Sequence, residues 1–203
     1  NKLKNHIIIT VSREYGSGGR YVGKLIADKL GIKLYDKEFV TKLAEETGLS
    51  EEYIENNEQK RNVLSVLNNG YYFGMDNADE LFIKESEMIK EIAQKESCVI
   101  IGRCADFILK DRKNVVKVYV YSDMKDKIKR ATEFYGFNKE KAEKEIKRID
   151  KLRANHYKYY TDKQWSDHSN YDIAINSDSF GVEKTADVIC ELVETKDFNY
   201  DNA

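Results

Sequence analysis

The sequence predicts an α/β domain, with a parallel β-sheet covered by helices on both faces. Three observations predict it. Short, β-branched apolar runs alternate with stretches whose apolar residues recur at helical spacing, which is the pattern of strand–helix–strand units. The runs are apolar throughout rather than alternating, as strands buried on both faces require. A glycine-rich turn joins the first strand to the first helix, and Asp36 and Gly102-Arg103 stand at the ends of later strands. In such sheets ligands gather at the carboxyl ends of the strands.

Each element follows in order. His6 to Val11 (HIIITV) reads as the first strand. After the turn, Arg20 to Leu30 places Val22, Leu25 and Ile26 at helical spacing, with Gly31 as its C-cap. Ile32 to Tyr35 is a second short strand, and Lys37 to Thr47 a helix closed by Gly48. Glu51 to Leu67 is a polar helical segment, followed by a turn-rich aromatic stretch, NNGYYFGMDN. Asp79 to Lys95 is amphipathic and helical. Cys98 to Ile101 and Val115 to Tyr121 are the third and fourth strands. Asp126 to Tyr135 is a helix, and Asn138 caps a long charged helix reaching about Tyr160. Tyr171 to Asn176 is the fifth strand, and Val182 to Thr195 the closing helix.

Composition narrows the function classes. The chain has 203 residues, 41% apolar and 34% charged, enough for one domain with its own core. A net charge of −2 offers no basic field for nucleic acid. No apolar run is long enough to cross a membrane and no signal-peptide pattern opens the chain, so a cytoplasmic location is expected. Three cysteines, Cys98, Cys104 and Cys190, lie on or beside core elements at non-metal spacing and read as buried thiols.

The turn itself is Ser12-Arg13-Glu14-Tyr15-Gly16-Ser17-Gly18-Gly19-Arg20. A phosphate site needs inward backbone N–H groups, no Cβ in the way, and a cation. Gly16, Gly18 and Gly19 meet the first two needs, and Arg20 with the helix N-terminus meets the third. The strand–turn–helix context makes this a P-loop-type phosphate cradle rather than a merely tight turn. The fit to G-x-x-x-x-G-K-[ST] is imperfect. Glu14 falls on the first glycine, Arg20 on the lysine, and Tyr21 on the Ser/Thr that touches magnesium. Ser12 or Ser17 is the hydroxyl left to replace it.

SREYGSGGR, then LYDKE, CVIIGRCAD and the run from Asp150 to Asn176 together resemble the cytidylate kinase-like family, relatives of nucleoside monophosphate kinases. The resemblance covers nearly the whole chain. It implies a three-layer αβα P-loop kinase fold with a five-stranded parallel sheet. It implies a helical acceptor-binding flap near 50–96 and a lid near 138–168. It implies an ATP- and Mg²⁺-dependent transfer of the γ-phosphoryl group to a small acceptor such as CMP or dCMP.

The same resemblance assigns roles. Arg103 matches the arginine of a Gly-Arg-Asp string that binds the acceptor, with Cys104 in place of the aspartate. Asp150 and Arg153 match the last two members of the lid string R-x-x-x-D-x-x-R, with Ile146 in place of the first arginine. Without that role they are a helix pair worth about 0.3–0.5 kcal/mol. Arg130 matches an arginine near the catalytic centre, against a solvated basic face shared with Lys127 and Lys129. Asp36 stands where related kinases approach the acceptor, or else caps the next helix. Arg148 reads as solvated, and Asn176-Ser177 as adjacent to the donor base. The aromatic group Tyr157, Tyr159, Tyr160, Trp165 and His156 reads as packing between lid and sheet.

Two other readings stand beside the phosphotransferase. The altered loop suits a nucleotide- or phosphate-binding regulatory module without turnover. The stretch from Ser50 to Lys95, with Tyr71, Tyr72 and Phe73, suits a homodimerisation arm.

Overall fold

The computed structural model describes residues 6–36, 38, 39, 42, 45, 46 and 77–195. The polar helix and aromatic turn expected between Glu51 and Asn77 therefore lie outside the described residues, as do most of the helix expected at Lys37–Thr47 and the residues proposed for a dimer contact.

Five strands form one parallel sheet: β1 (Ile8–Arg13), β2 (Lys33–Tyr35), β3 (Cys98–Ile101), β4 (Val115–Tyr121) and β5 (Ile173–Asn176), in the order β2-β3-β1-β4-β5. The described helices are α1 (Gly19–Leu30), α2 (Asn77–Lys95), the single turn α3 (Ala105–Ile108), α4 (Met124–Phe134), α5 (Lys139–Thr161) and α6 (Ser177–Thr195). Central β1 pairs with β3 and β4, with Ile8 opposite both Cys98 and Val115.

Period-two alternation sends successive β1 side chains to opposite faces. Ile7, Ile9 and Val11 pack with Val22 and Ile26 of α1 and Ala186 and Ile189 of α6. Ile8 packs with Met88, Ile89 and Ile92 of α2, on the other face. Both faces are covered, so the three-layer αβα expectation holds. Helix α2 accordingly forms a layer of the core on that face. Its apolar stripe, Leu81, Met88, Ile89, Ile92 and Ala93, is buried.

Three boundaries differ from the sequence reading. β1 runs two residues further, to Arg13, because Ser12 and Arg13 continue the register opposite Tyr119 and Val120. The short turn α3 had no periodic signal. Helix α6 begins at Ser177 and kinks at Gly181 (φ 77), which hid its first turn. Asn138 caps α5 as expected, its side chain accepting from the amide of Glu140. All three cysteines are buried and none is in a disulfide.

The aromatic group on and just after α5 packs in two directions. Tyr157 and Trp165 join Tyr119 and Tyr171 against the sheet. Tyr160 stacks on Phe82 of α2 at 3.7 Å between ring centroids.

Candidate active site

The glycine loop leaves the carboxyl end of β1. Gly16 (φ 78) and Gly18 (φ 77) are left-handed, a conformation that costs other residues about 1–2 kcal/mol. Ser17 knits the turn together: its buried hydroxyl donates to the Glu14 carbonyl at 2.8 Å and accepts from the Gly19 amide at 3.2 Å.

Distant elements hold this loop from behind. Arg130 of α4 donates to the Gly16 carbonyl at 3.1 Å and pairs with Asp178 at 2.5 Å. Ser177, at the start of α6, donates to the Ser17 carbonyl at 2.6 Å. From α5, Asp150 accepts from the Tyr15 amide at 2.6 Å. Lys127 bridges Glu14 at 2.9 Å and Asp150 at 3.4 Å.

In front of the loop lie two adjoining hollows. The smaller, about 340 Å³, is floored by Gly16, Gly18 and Gly19. The larger, about 480 Å³, lies against Gly102 and Cys104 on one side and Leu152, Tyr157 and Trp165 on the other. Arg13, Tyr15, Asp36, Arg103 and Arg153 line both. Three guanidinium groups therefore stand where the hollows meet.

The expected site residues divide accordingly. Gly16, Gly18, Gly19, Asp36, Arg103 and Arg153 face the hollows. Arg153 donates to the Arg13 carbonyl at 2.9 Å and lies 5.4 Å from the Tyr15 ring centroid. Arg103 has a left-handed backbone (φ 60) and pairs with the buried Glu85 at 3.0 Å. Arg20 borders the smaller hollow, but its side chain is 64% exposed and its Nε contacts Asp36 at 2.5 Å. Tyr21 turns away, donating to Glu183 at 3.3 Å. Arg130 and Asp150 serve the back of the loop rather than the hollows.

One sequence reading needs correction. Lys127 is not on a solvated basic face: its side chain is 7% exposed and takes two carboxylate partners. Arg148 is solvated as expected and pairs with Glu145, although it also borders the larger hollow. Ser177 is fully buried, donating to the Ser17 carbonyl of the loop.

Two groups escaped the sequence reading. Arg13 was read only as part of the glycine string, yet it lines both hollows. Asp106, buried, accepts from Tyr157 at 2.6 Å and from Ser12 at 3.5 Å. Burial pushes the Asp106 carboxyl above its ordinary range, against the opposing pull of the Tyr157 hydrogen bond. Burial likewise raises Asp150, opposed by the Tyr15 amide, Lys127 and Arg153. No hydrophobic periodicity marks either Arg13 or Asp106. An ionisable residue within or just after a buried strand run was the available signal.

The residues present do not fit a magnesium ion held by the protein. Among the described residues no group of three His, Cys, Asp or Glu side chains could hold a metal. The Tyr21 hydroxyl is bonded to Glu183, Ser17 closes the loop on itself, and Ser12 donates to Asp106.

The profile of the cytidylate kinase-like family matches residues 8–179. The chain belongs to that family. A cytidylate kinase from Archaeoglobus fulgidus is 26% identical over 196 residues, covering 95% of this chain and 98% of its own length. An uncharacterised protein from Eubacterium ventriosum is 29% identical, with a TM-score of 0.74 over 94% of this chain and 99% of its own. Shikimate kinase from Bacteroides thetaiotaomicron shares the P-loop kinase fold at 15% identity, with a TM-score of 0.57 over 94% of this chain and 99% of its own. Family membership supports a nucleotide kinase. No described helix is long and apolar enough to cross a membrane.

Proposed function

We propose that this protein transfers the γ-phosphoryl group of ATP to a nucleoside monophosphate, CMP or dCMP being the first candidates. The observation that carries the reading is the pair of hollows sharing a wall of guanidinium groups. One hollow is floored by the glycine loop and suits a donor. The other is bounded by Arg103 and the α5 aromatics and suits an acceptor.

In this reading the amides between Gly16 and Arg20 hold the donor phosphates, with Arg20 on their outer side. Arg103 and Asp36 orient the acceptor. An acceptor phosphate oxygen attacks the γ-phosphorus, and the bond to the β–γ bridging oxygen breaks, leaving its electron pair on ADP. Arg153, where the hollows meet, neutralises charge spread over the transferred group. Arg130 and Asp150 act one step removed, fixing the loop through the Gly16 carbonyl and the Tyr15 amide. An ionised acceptor phosphate needs no general base. Magnesium, bound to donor phosphates and water, belongs here with the substrate.

A coupled ADP-release assay with ATP–Mg and a panel of CMP, dCMP, UMP, AMP and GMP tests this. Turnover with a pyrimidine monophosphate, reduced by about 10²-fold or more in Arg153→Met, is expected. Binding of ATP with no turnover on any acceptor would instead support a nucleotide-binding regulatory module. The contact of Arg20 with Asp36, and of Tyr21 with Glu183, favours that second reading.

A further inference from the structure

We propose that Arg13, rather than Arg20, is the fixed cation that grips the donor's transferable phosphate, and that Gly19 and Gly102 exist to seat it. The proposal rests on the phosphotransferase reading and assigns the charge that the altered loop lacks.

Position comes first. Arg13 is the last residue of β1 and lines both hollows. A side chain there reaches the phosphate cradle from beneath, from the rigid centre of the sheet. Arg20, the second residue of α1 and 64% exposed, reaches it from the solvent side.

Close packing comes second. A Cβ on Gly19 would lie 2.4 Å from Cβ of Arg13 and 3.2 Å from its Cγ. A Cβ on Gly102 would lie 2.3 Å from its Nη1. Both approaches are far shorter than a carbon contact allows. Two glycines from different parts of the chain thus form a slot, one along the stem and one under the head. Arg153 adds a third restraint by donating to the Arg13 carbonyl.

Charge comes third. Among the described residues, no hydrogen bond or ion pair engages the Arg13 guanidinium. Its charged neighbours are Arg153, Asp36, Arg103 and Arg20. The one carboxylate among them, Asp36, lies 2.5 Å from Arg20. Burial, then Arg153, pushes the Arg13 group down to about 9, with Asp36 opposing and Arg103 and Arg20 adding to the fall. A guanidinium held in this company awaits an anion. Its planar fork suits two phosphate oxygens at once, which a lysine at the usual loop position does not offer.

Inorganic tripolyphosphate, titrated calorimetrically into the wild-type, Arg13→Met and Arg20→Met proteins, reads the anion site without requiring turnover. Loss of a charge-assisted contact predicts that Arg13→Met weakens binding by about tenfold to a hundredfold, and Arg20→Met by less than about threefold. Thermal melting adds a readout of opposite sign. Removing a crowded charge that lacks its own counter-ion should leave the melting temperature of Arg13→Met equal to the wild type or higher, whereas a structural arginine would lower it. Should Arg13→Met fail to fold, Arg13→Lys decides: it keeps the charge but loses the fork, and a loss between about threefold and tenfold is expected. Tripolyphosphate binding within threefold of wild type in the decisive variant overturns the proposal, as does an equal loss in Arg20→Met. Absence of turnover on every acceptor sinks the phosphotransferase reading separately, and leaves the tripolyphosphate comparison intact.

Discussion

Lys127 sits nearly sealed between Glu14 and Asp150, at 2.9 and 3.4 Å, beneath the glycine loop. Its ammonium balances two carboxylates that keep some contact with solvent. Lys127→Met leaves both without that cation. The expected loss of stability is on the order of 2 kcal/mol, less than for a fully sealed pair, and urea denaturation measures it. Asp106 behaves differently. Its carboxyl is raised by burial, so the folded state holds a proton longer than the unfolded chain does. Stability therefore falls as pH rises above the ordinary aspartate value of 3.8, until the raised value is passed, and is flat beyond it. Asp106→Asn removes its share of that slope, leaving the share of Asp150, while still accepting from Tyr157. Denaturant midpoints across the acidic range check this, and an unchanged slope in the variant would exclude Asp106 as a source of it.

At the scale of elements, the turns on either side of α1 make a controlled comparison. Gly16 and Gly31 are both left-handed, at φ 78 and φ 67. A Cβ on Gly31 meets nothing within 4 Å, so Gly31→Ala costs only the backbone term of about 1 kcal/mol. A Cβ on Gly16 would lie 2.9 Å from the Lys127 carbonyl, on a helix that cannot easily move. Gly16→Ala is expected to cost more than Gly31→Ala and to weaken tripolyphosphate binding, which Gly31→Ala should leave intact. Helix α5 shows the same division of labour along its length. Ala142 and Ile146 pack beside Ala131 of α4, Asp150 and Arg153 hold the loop and the end of β1, and Tyr157 packs on the sheet. A helix read as a lid is thus bound to the loop by hydrogen bonds from its middle turns.

For the molecule as a whole, the layout joins the loop, α5 and both hollows to one reporter. Trp165 is the single tryptophan, is buried, and lines the larger hollow. Acceptor binding there should change its emission saturably, whereas tripolyphosphate in the smaller hollow should change it less. Fluorescence titration with CMP and with tripolyphosphate distinguishes the two. Equal responses would mean that the hollows do not act as separate donor and acceptor sites.

The sequence by itself determined the sheet and the longer described helices. A strand buried on both faces must be apolar at most positions, and HIIITV, CVII and VVKVYVY carry that requirement locally. It also determined where the loop would be, because left-handed turns at Gly16 and Gly18 depend on residues within the turn. The strings that resemble the cytidylate kinase-like family located Arg103 and Arg153 in the same way. Only the tertiary structure decided that Arg13 lines both hollows. A guanidinium ends a long flexible stem, and its place depends on what lies around it. Arg20 pairs with Asp36, while Gly102, 89 positions further along the chain, leaves the space that Arg13 fills. Neither contact leaves a periodic trace in the sequence, since each joins residues brought together by strand order.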